Sequence, residues 1–579
     1  MDNIHNTQKD PDVYISPTLE PGPALPKVGD RTPRIVHDEE AQNLRKGLQE
    51  RHTQMIAIAG AIGTGLFLGL GSSIQTGGPL GALLGYLLIG LVVCAVQIAL
   101  GEVSALMPVT GSFVRHVELL VDPALGFAIG WNVVYGCFMS VPSEISAAVV
   151  LIQYWNDTLN PAIWVTILIV ISAIVSLLFI RVYGEVEFVF AILKIFLIIG
   201  IILMGLVIDL GGVSGTPRLG FHYWKDPGPF VEYIASGPWG RFLGFWAVTT
   251  NAVYSFSGVE SLTIAAAEMA NPRQNIPRAC KRVFARVTIF YFLAVLIVGM
   301  IVPSNDPRLG SESGTAAQSP FVIAASDAGI KVVPSIINAV VLTSAWSASN
   351  QSILAGTRTL YGLAIKGHAP AVFLRTTRHG VPYACAVAQI AVSALAYLTC
   401  QNEAYTVFNW LLDLTAAGVL ISWGTIAMNH IRLMRGFKAQ GLDTAEMPWH
   451  HWWSVYTSWF ALVMCVIVLL TGGFTVFTHG NWDASSFVSS YLDIPLVLAF
   501  YLGYKFWKKT ETVSSYEIPL EQALLECRND PDNVLIGRSY NPTKLYQLTH
   551  IPHPGRGNIY DHLYATSSQD YARSNAAPD

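Results

Sequence analysis

Four ionisable residues, Glu144, Lys194, Glu260 and Asp413, stand deep inside long apolar runs. A charge that far from water is costly, and a chain that keeps one uses it to hold a counter-charge, pass a proton or meet a charged ligand. Lys194 lies about ten residues into its run, which is ~15 Å at ~1.5 Å per residue, too deep for its stem to carry the ammonium to an interface. Glu260 sits near the middle of its run, Glu144 follows Pro142, and Asp413 lies well inside. Bonding between packed helices is the other use open to these groups. Glu102, Glu268 and Arg358 fall nearer run ends and read as interfacial.

The elements that must position these groups are membrane spans. Of 579 residues 52% are hydrophobic and 13% charged, about half the charged share of a soluble domain. Twelve runs are each long enough to cross a hydrocarbon core of about 30 Å. They fall near 53–72, 80–107, 125–153, 162–181, 185–209, 240–268, 284–303, 333–365, 381–400, 405–431, 455–477 and 488–507. Lys and Arg set the orientation: one set of loops holds Arg115, Arg273, Lys281, Lys366, Arg432 and Lys508, and the other holds Arg218, Lys225, Arg308 and Lys331. With an even span count, the richer side and both termini are cytosolic.

Residues 1–50 are rich in Pro and Asp and lack the apolar core of a cleavable signal, so they read as a disordered cytosolic tail. Residues 51–510 form the membrane domain and 511–579 a second cytosolic tail. The seven cysteines follow no metal or disulfide spacing and read as small core residues. No run presents paired metal ligands or a nucleophile elbow, and His450 with His451 beside Trp452 and Trp453 reads as an interfacial aromatic belt. An enzyme, a resident metal and a nucleic-acid partner are not expected.

Residues 57–71, AIAGAIGTGLFLGLG, place five glycines in fifteen residues, each costing about 1 kcal/mol against alanine inside a helix. A second interruption, YSFSGVES at 254–261, lies in the sixth run. Each opens a block of five runs, at 53–209 and 240–431, with the runs at 455–507 left over. Matching Gly-interrupted segments in two halves are the mark of an inverted-repeat transporter, whose ligand binds at mid-membrane between broken helices. Unwound backbone is tolerable there only where it faces a cavity or a ligand. Gly63 and Gly65 let an anion approach their N–H groups, and carbonyls around Ser257 suit an ammonium, so the pair describes a clamp for a zwitterion. The Gly65–Gly69 GxxxG spacing is also that of a helix-packing face.

The chain resembles the fungal amino-acid permeases of the amino acid, polyamine and organocation superfamily. The resemblance rests on GAIGTGLFLGLG with GGPLGALLGY, MPVTGSFVRH, DPALGFAIGWN, FSGVES with AAEMANPRQNIPRA, TRTLYGLAIKGHAP, FNWLLDL and NHIRLMRGFKAQG, in order over about residues 45–510. It implies an all-α LeuT-type fold of two inverted five-helix repeats, with broken first and sixth helices and two peripheral helices. It also implies secondary transport of amino acids into the cell across the plasma membrane, with a proton as coupling ion and no cofactor.

Carried over by motif, Ile62, Gly63, Thr64 and Gly65 would hold the substrate carboxylate, and Phe256, Ser257 and Gly258 would bind its amino group and gate the site. Glu260 follows in the same motif, and Lys194 resembles an ammonium standing where sodium-coupled relatives hold sodium. Similar permeases often read FNWLLN where this chain ends in Asp413. Glu260, Lys194, Glu144 and Asp413 are the candidates for charge or proton coupling. An exchanger, and a sensor that binds but transports poorly, remain open alternatives. The expected partners are the amino acid, the bilayer and, at tail lysines such as Lys9 and Lys27, trafficking or ubiquitination machinery.

Overall fold

The computed structural model of the chain describes residues 63–529, apart from 110, 157, 178–179, 214–216, 261–271, 310–318, 378–379 and 403. The chain divides into two units, 1–529 and 530–579, and the second lies outside the described residues, as does the N-terminal tail.

The described elements are helical. In chain order they are α1 (Thr64–Phe67), α2 (Gly69–Leu106), α3 (Ser112–Leu120), α4 (Pro123–Gln153), α5 (Pro161–Leu177), α6 (Ile180–Asp209), α7 (Gly237–Ser255), α8 (Pro272–Arg286) and α9 (Leu293–Ile301). They continue with α10 (Pro320–Asp327), α11 (Val333–Ile365), α12 (Tyr383–Ser393), α13 (Ala404–Gln440), α14 (Ser454–Thr471), α15 (Ala484–Tyr491), α16 (Asp493–Lys508) and α17 (Leu520–Asn529).

Among the described residues six helices are long and apolar enough to cross a membrane, and α15 with α16, bent by 46°, makes a seventh. The other expected spans extend past the described residues, are interrupted or are polarised. The first expected run begins before Gly63, and the helix leaving it is joined to the next at Gly78. There φ is +74°, and a Cβ would lie 2.8 Å from the Phe230 Cα, so only glycine turns at that point. The described part of α5 ends at Leu177, next to residues 178–179, α7 stops at the second interruption, and a π-helical turn over Val287–Phe292 precedes α9. Helix α11 is long but carries Asn338, Ser344, Ser347 and Asn350, all buried, which places it among other helices rather than against lipid.

Helix α4 is the centre of the packing. Asp122 caps it by accepting the Ala124 N–H at 2.8 Å, Pro123 opens its first turn, and it packs against α11, α13 and α16. Helices α2 and α7 pack on each other as a second group. Ile163, Ile167, Val170 and Ile174 form an exposed apolar stripe on α5, and Phe196 on α6 is 69% exposed. Such faces belong against hydrocarbon, where all backbone groups must be satisfied internally.

Two groups at span ends are more enclosed than their sequence suggests. Glu102 is fully buried and accepts from His430 Nε2 (2.8 Å), His450 Nδ1 (3.0 Å), the His451 N–H (2.8 Å) and Ser454 Oγ (2.9 Å). His450 and His451 therefore tie the loop before α14 to α2 and α13. After α16, the Val513 N–H donates to the Val121 carbonyl (2.8 Å), and Leu520, Ala523 and Leu524 of α17 are buried in one cluster with Leu433, Met434 and Phe437 of α13.

The turn helix α3, between spans, carries a pH-dependent contribution. Burial pushes the His116 imidazole down from 6.5 to about 4, against the opposing effect of its Nε2 bond to the Met107 carbonyl at 2.8 Å. Above 6.5 both folded and unfolded states hold it neutral, so it contributes nothing to the pH slope. Between 6.5 and about 4 only the unfolded state takes the proton, and folding stability falls as pH falls, by about 3 kcal/mol in all. Thermal unfolding of purified protein over this range should show His116→Gln losing less stability than wild type; equal losses would remove His116 from the effect.

Candidate functional site

Both interruptions open onto one cavity. Helix α1 starts at Thr64 immediately after Gly63, whose backbone is extended (φ −119°, ψ −164°). Gly63 and Gly65 line the cavity with Asn132, Ser140 and Glu144 of α4. Ser257, Gly258 and Glu260 come from the second interruption, Gln351 and Ser352 from α11, and Gly418 and Ser422 from α13. Its volume is ≈ 90 Å³. One water needs about 10–15 Å³ on this measure, so there is room for several waters or a small organic solute rather than a bare ion.

The first interruption works by close approach. A Cβ on Gly65 would lie 2.8 Å from the Ser255 Cα and 2.9 Å from the Tyr254 ring, so its lack of a side chain lets α1 press on the end of α7. A Cβ on Gly63 would meet the Glu144 Oε1 at an ordinary 3.5 Å. Gly69, the other end of the GxxxG spacing, has nothing within 4 Å of its Cβ position, so Gly65 alone of this pair is a packing glycine.

The second interruption begins where α7 ends at Ser255. The chain leaves the helix through Gly258 at φ +86°, a conformation that L side chains rarely adopt. Neighbouring side chains bind the freed carbonyls: Tyr291 Oη donates to Ser255 O at 2.6 Å and Gln97 Nε2 to Val259 O at 3.0 Å. The Glu260 carboxylate accepts the Gly258 N–H at 3.3 Å and Trp423 Nε1 at 3.1 Å, closing the turn on itself and onto α13.

Glu144 joins the two interruptions. Its Oε2 accepts Thr64 Oγ1 at 3.0 Å and its Oε1 accepts Tyr254 Oη at 3.1 Å, so one carboxylate takes a hydroxyl from each side. Behind this wall Lys194 is fully buried, within electrostatic reach of Glu144.

The sequence-named residues thus divide. Gly63, Gly65, Ser257, Gly258, Glu144 and Glu260 line the cavity. Thr64 is buried beside it on Glu144, and Ile62 lies outside the described residues. Phe256 is fully buried with its ring 4.2 Å from that of Tyr291. Asp413 is not among the residues lining the cavity and receives Ser489 Oγ of α15 at 3.4 Å. The sequence reading gave no role to Tyr254, the first residue of YSFSGVES, or to Glu187, one of two glutamates in the GEVEF stretch opening α6. Charge in an apolar run was the available signal for Glu187, but its place near the run's start masked it.

The family model described as "Amino acid permease" matches residues 52–514. The chain is 37% identical to the dicarboxylic amino acid permease of Saccharomyces cerevisiae, over 83% of this chain and 80% of that one. It is 38% identical to the proline-specific permease of Emericella nidulans (82% and 87%) and 35% identical to the lysine-specific permease of Saccharomyces cerevisiae (83% and 78%). Among solved structures, the Eremococcus coleocola manganese transporter aligns with TM-score 0.51 over 86% of this chain and 99% of that chain. At 14% identity that likeness concerns the fold alone, and among the described residues no group of three or more His, Cys, Asp and Glu is placed to hold a metal. Taken with the sequence relatives, the chain belongs to the amino acid permease family, multi-span membrane transporters of amino acids rather than enzymes.

Proposed function

We propose that this protein is a secondary active importer of L-amino acids in the plasma membrane, coupled to protons. Its twelve spans form two inverted five-helix repeats and two peripheral helices, with both termini cytosolic. The substrate carboxylate meets the backbone amides at Gly63–Gly65, and the ammonium meets carbonyls of the turn through Ser257 and Gly258. Glu144 and Glu260 are the cavity groups that a proton can join, with Lys194 behind them. Asp413 acts from outside the cavity, through α15.

The observation that carries this reading is the pair of hydrogen bonds that Glu144 accepts, from Thr64 beside the first interruption and from Tyr254 beside the second. A group touching both broken segments feels any change in their separation, and alternating access is motion of one helix group against another about a fixed site. Relatives named for dicarboxylic amino acids, proline and lysine lie at 37%, 38% and 35% identity, so overall likeness does not select a side-chain class. Selection falls to walls away from the interruptions, where Asn132, Gln351, Ser352 and Ser422 present neutral polar groups.

The test is uptake of a panel of radiolabelled L-amino acids by liposomes holding the purified protein, with and without an outward-acid pH gradient. Accumulation of one class that requires the gradient is expected. Uptake only against a preloaded amino acid, indifferent to the gradient, would make the protein an exchanger.

A further inference from the structure

Lys194 does not stand alone behind the cavity. Its Nζ donates to Ser347 Oγ of α11 at 3.0 Å, and Ser347 Oγ lies 2.7 and 2.8 Å from the two carboxylate oxygens of Glu187. All three are at most 1% exposed. Glu187 lies two helical turns before Lys194 on the same face of α6, and helical side chains lean toward the N-terminus, so the lysine stem points its ammonium back along α6.

The bond directions follow from the chemistry of the groups. An ammonium only donates and an ionised carboxylate only accepts, so the Ser347 hydroxyl receives from Lys194 and gives to Glu187. The ammonium is within electrostatic reach of two carboxylates, Glu144 on the cavity wall and Glu187 away from it. A buried charge persists only when paired, and here one cation has a carboxylate toward the cavity and another through a serine bridge.

We propose that Ser347 and Glu187 are the exit leg of the proton path, taking the proton from Lys194 on the side away from the substrate. In the step, Lys194 gives a proton to Ser347 Oγ while Ser347 gives its own to Glu187. The ammonium becomes an amine, the carboxylate a carboxylic acid, and the hydroxyl is regenerated, so an ion pair becomes a neutral pair with charge conserved. Glu187 is nearer the start of α6, the cytosolic end in the proposed orientation, so the step moves the proton inward. This inference rests on proton-coupled import as proposed above.

The surroundings leave few other groups to do this. Among the described residues packed on α6, α5 and α9 carry no ionisable side chain, and Asp327 of α10 is bound by Arg308 at 2.7 Å in an exposed pair. Arg358 of α11 lies about three turns beyond Ser347, and Glu185 is two residues before Glu187 on α6 itself.

The test uses the full chain in liposomes containing a pH-sensitive dye, with a radiolabelled mixture of the protein L-amino acids as probe. Wild type should acidify the lumen as it accumulates label. Glu187→Gln should lose both by at least about tenfold while counterflow exchange of internal for external amino acid, which needs no net proton transfer, persists with little change in KM. Ser347→Ala should show the same split and a flattened pH profile, and Ser347→Thr, which keeps the hydroxyl, should restore both. Wild-type acidification with undiminished accumulation by Glu187→Gln, or equal behaviour of Ser347→Ala and Ser347→Thr, would overturn the exit leg alone. Parallel loss of counterflow and accumulation in both Glu187→Gln and Ser347→Ala would reduce the trio to structural glue and overturn it as well. Absence of acidification by wild type would overturn proton coupling itself, and the exit leg with it.

Discussion

Gly65→Ala is expected to lower the initial rate of amino-acid uptake by on the order of 100-fold, while Gly69→Ala, four residues along the same helical path, stays near wild type. The contrast comes from what each new methyl would meet. At Gly65 it would enter within 2.8 Å of the Ser255 Cα, a backbone atom at the edge of the second interruption, and neither side can yield without moving α1 away from α7. At Gly69 it meets nothing within 4 Å, and alanine is the better helix former by about 1 kcal/mol. Uptake rates normalised to protein in the membrane check this; equal rates for the two variants would detach the approach of α1 to α7 from function.

The second large effect concerns Glu144. Glu144→Ala takes from the Thr64 and Tyr254 hydroxyls their shared acceptor; Tyr254 keeps its bond with Ser143 Oγ at 3.1 Å, while a buried hydroxyl left unpaired, as at Thr64, costs about 1–3 kcal/mol. Substrate affinity should fall by on the order of 100-fold or more, because the two interruptions lose the side chain that holds them in register. Glu144→Gln keeps one acceptor oxygen but cannot gain or lose a proton, so it should retain measurable binding while losing gradient-driven accumulation. Equilibrium binding and accumulation measured on both variants separate the positions. Unchanged affinity in Glu144→Ala would remove Glu144 from the link between the interruptions.

The parts of this arrangement legible in the sequence are those that break a local rule. Glycines in an apolar run and carboxylates far from any interface stand out because each carries a local cost, and Gly63, Gly65, Glu144 and Glu260 do meet on one cavity. Position along a run also set Lys194 far from water, and its side chain is fully buried. Partnership was not legible: Ser347 joins Lys194 and Glu187 across more than 150 residues, and nothing in GEVEF marks which glutamate turns inward. Likewise Glu102 reads as interfacial by its place near a span end, yet the chain folds His430, His450 and His451 around it. The second motif marks Phe256 as a gate without showing that its ring packs on Tyr291 and Tyr86 inside the core. Helix packing decides such cases, and a one-dimensional pattern records which residues are unusual rather than which face they turn to.

The central claim is that the two interruptions grip opposite ends of one zwitterion. It is tested most directly by competition for uptake between a transported L-amino acid, its methyl ester and its N-acetyl derivative. The ester removes the anion meant for the amides at Gly63–Gly65, and the acetyl group removes the cation meant for the carbonyls around Ser257. Both analogues are predicted to compete at least about 100-fold more weakly than the parent, since each leaves buried backbone groups unpaired. An analogue that competes as well as the parent would show that the interruption assigned to its missing charge does not bind it.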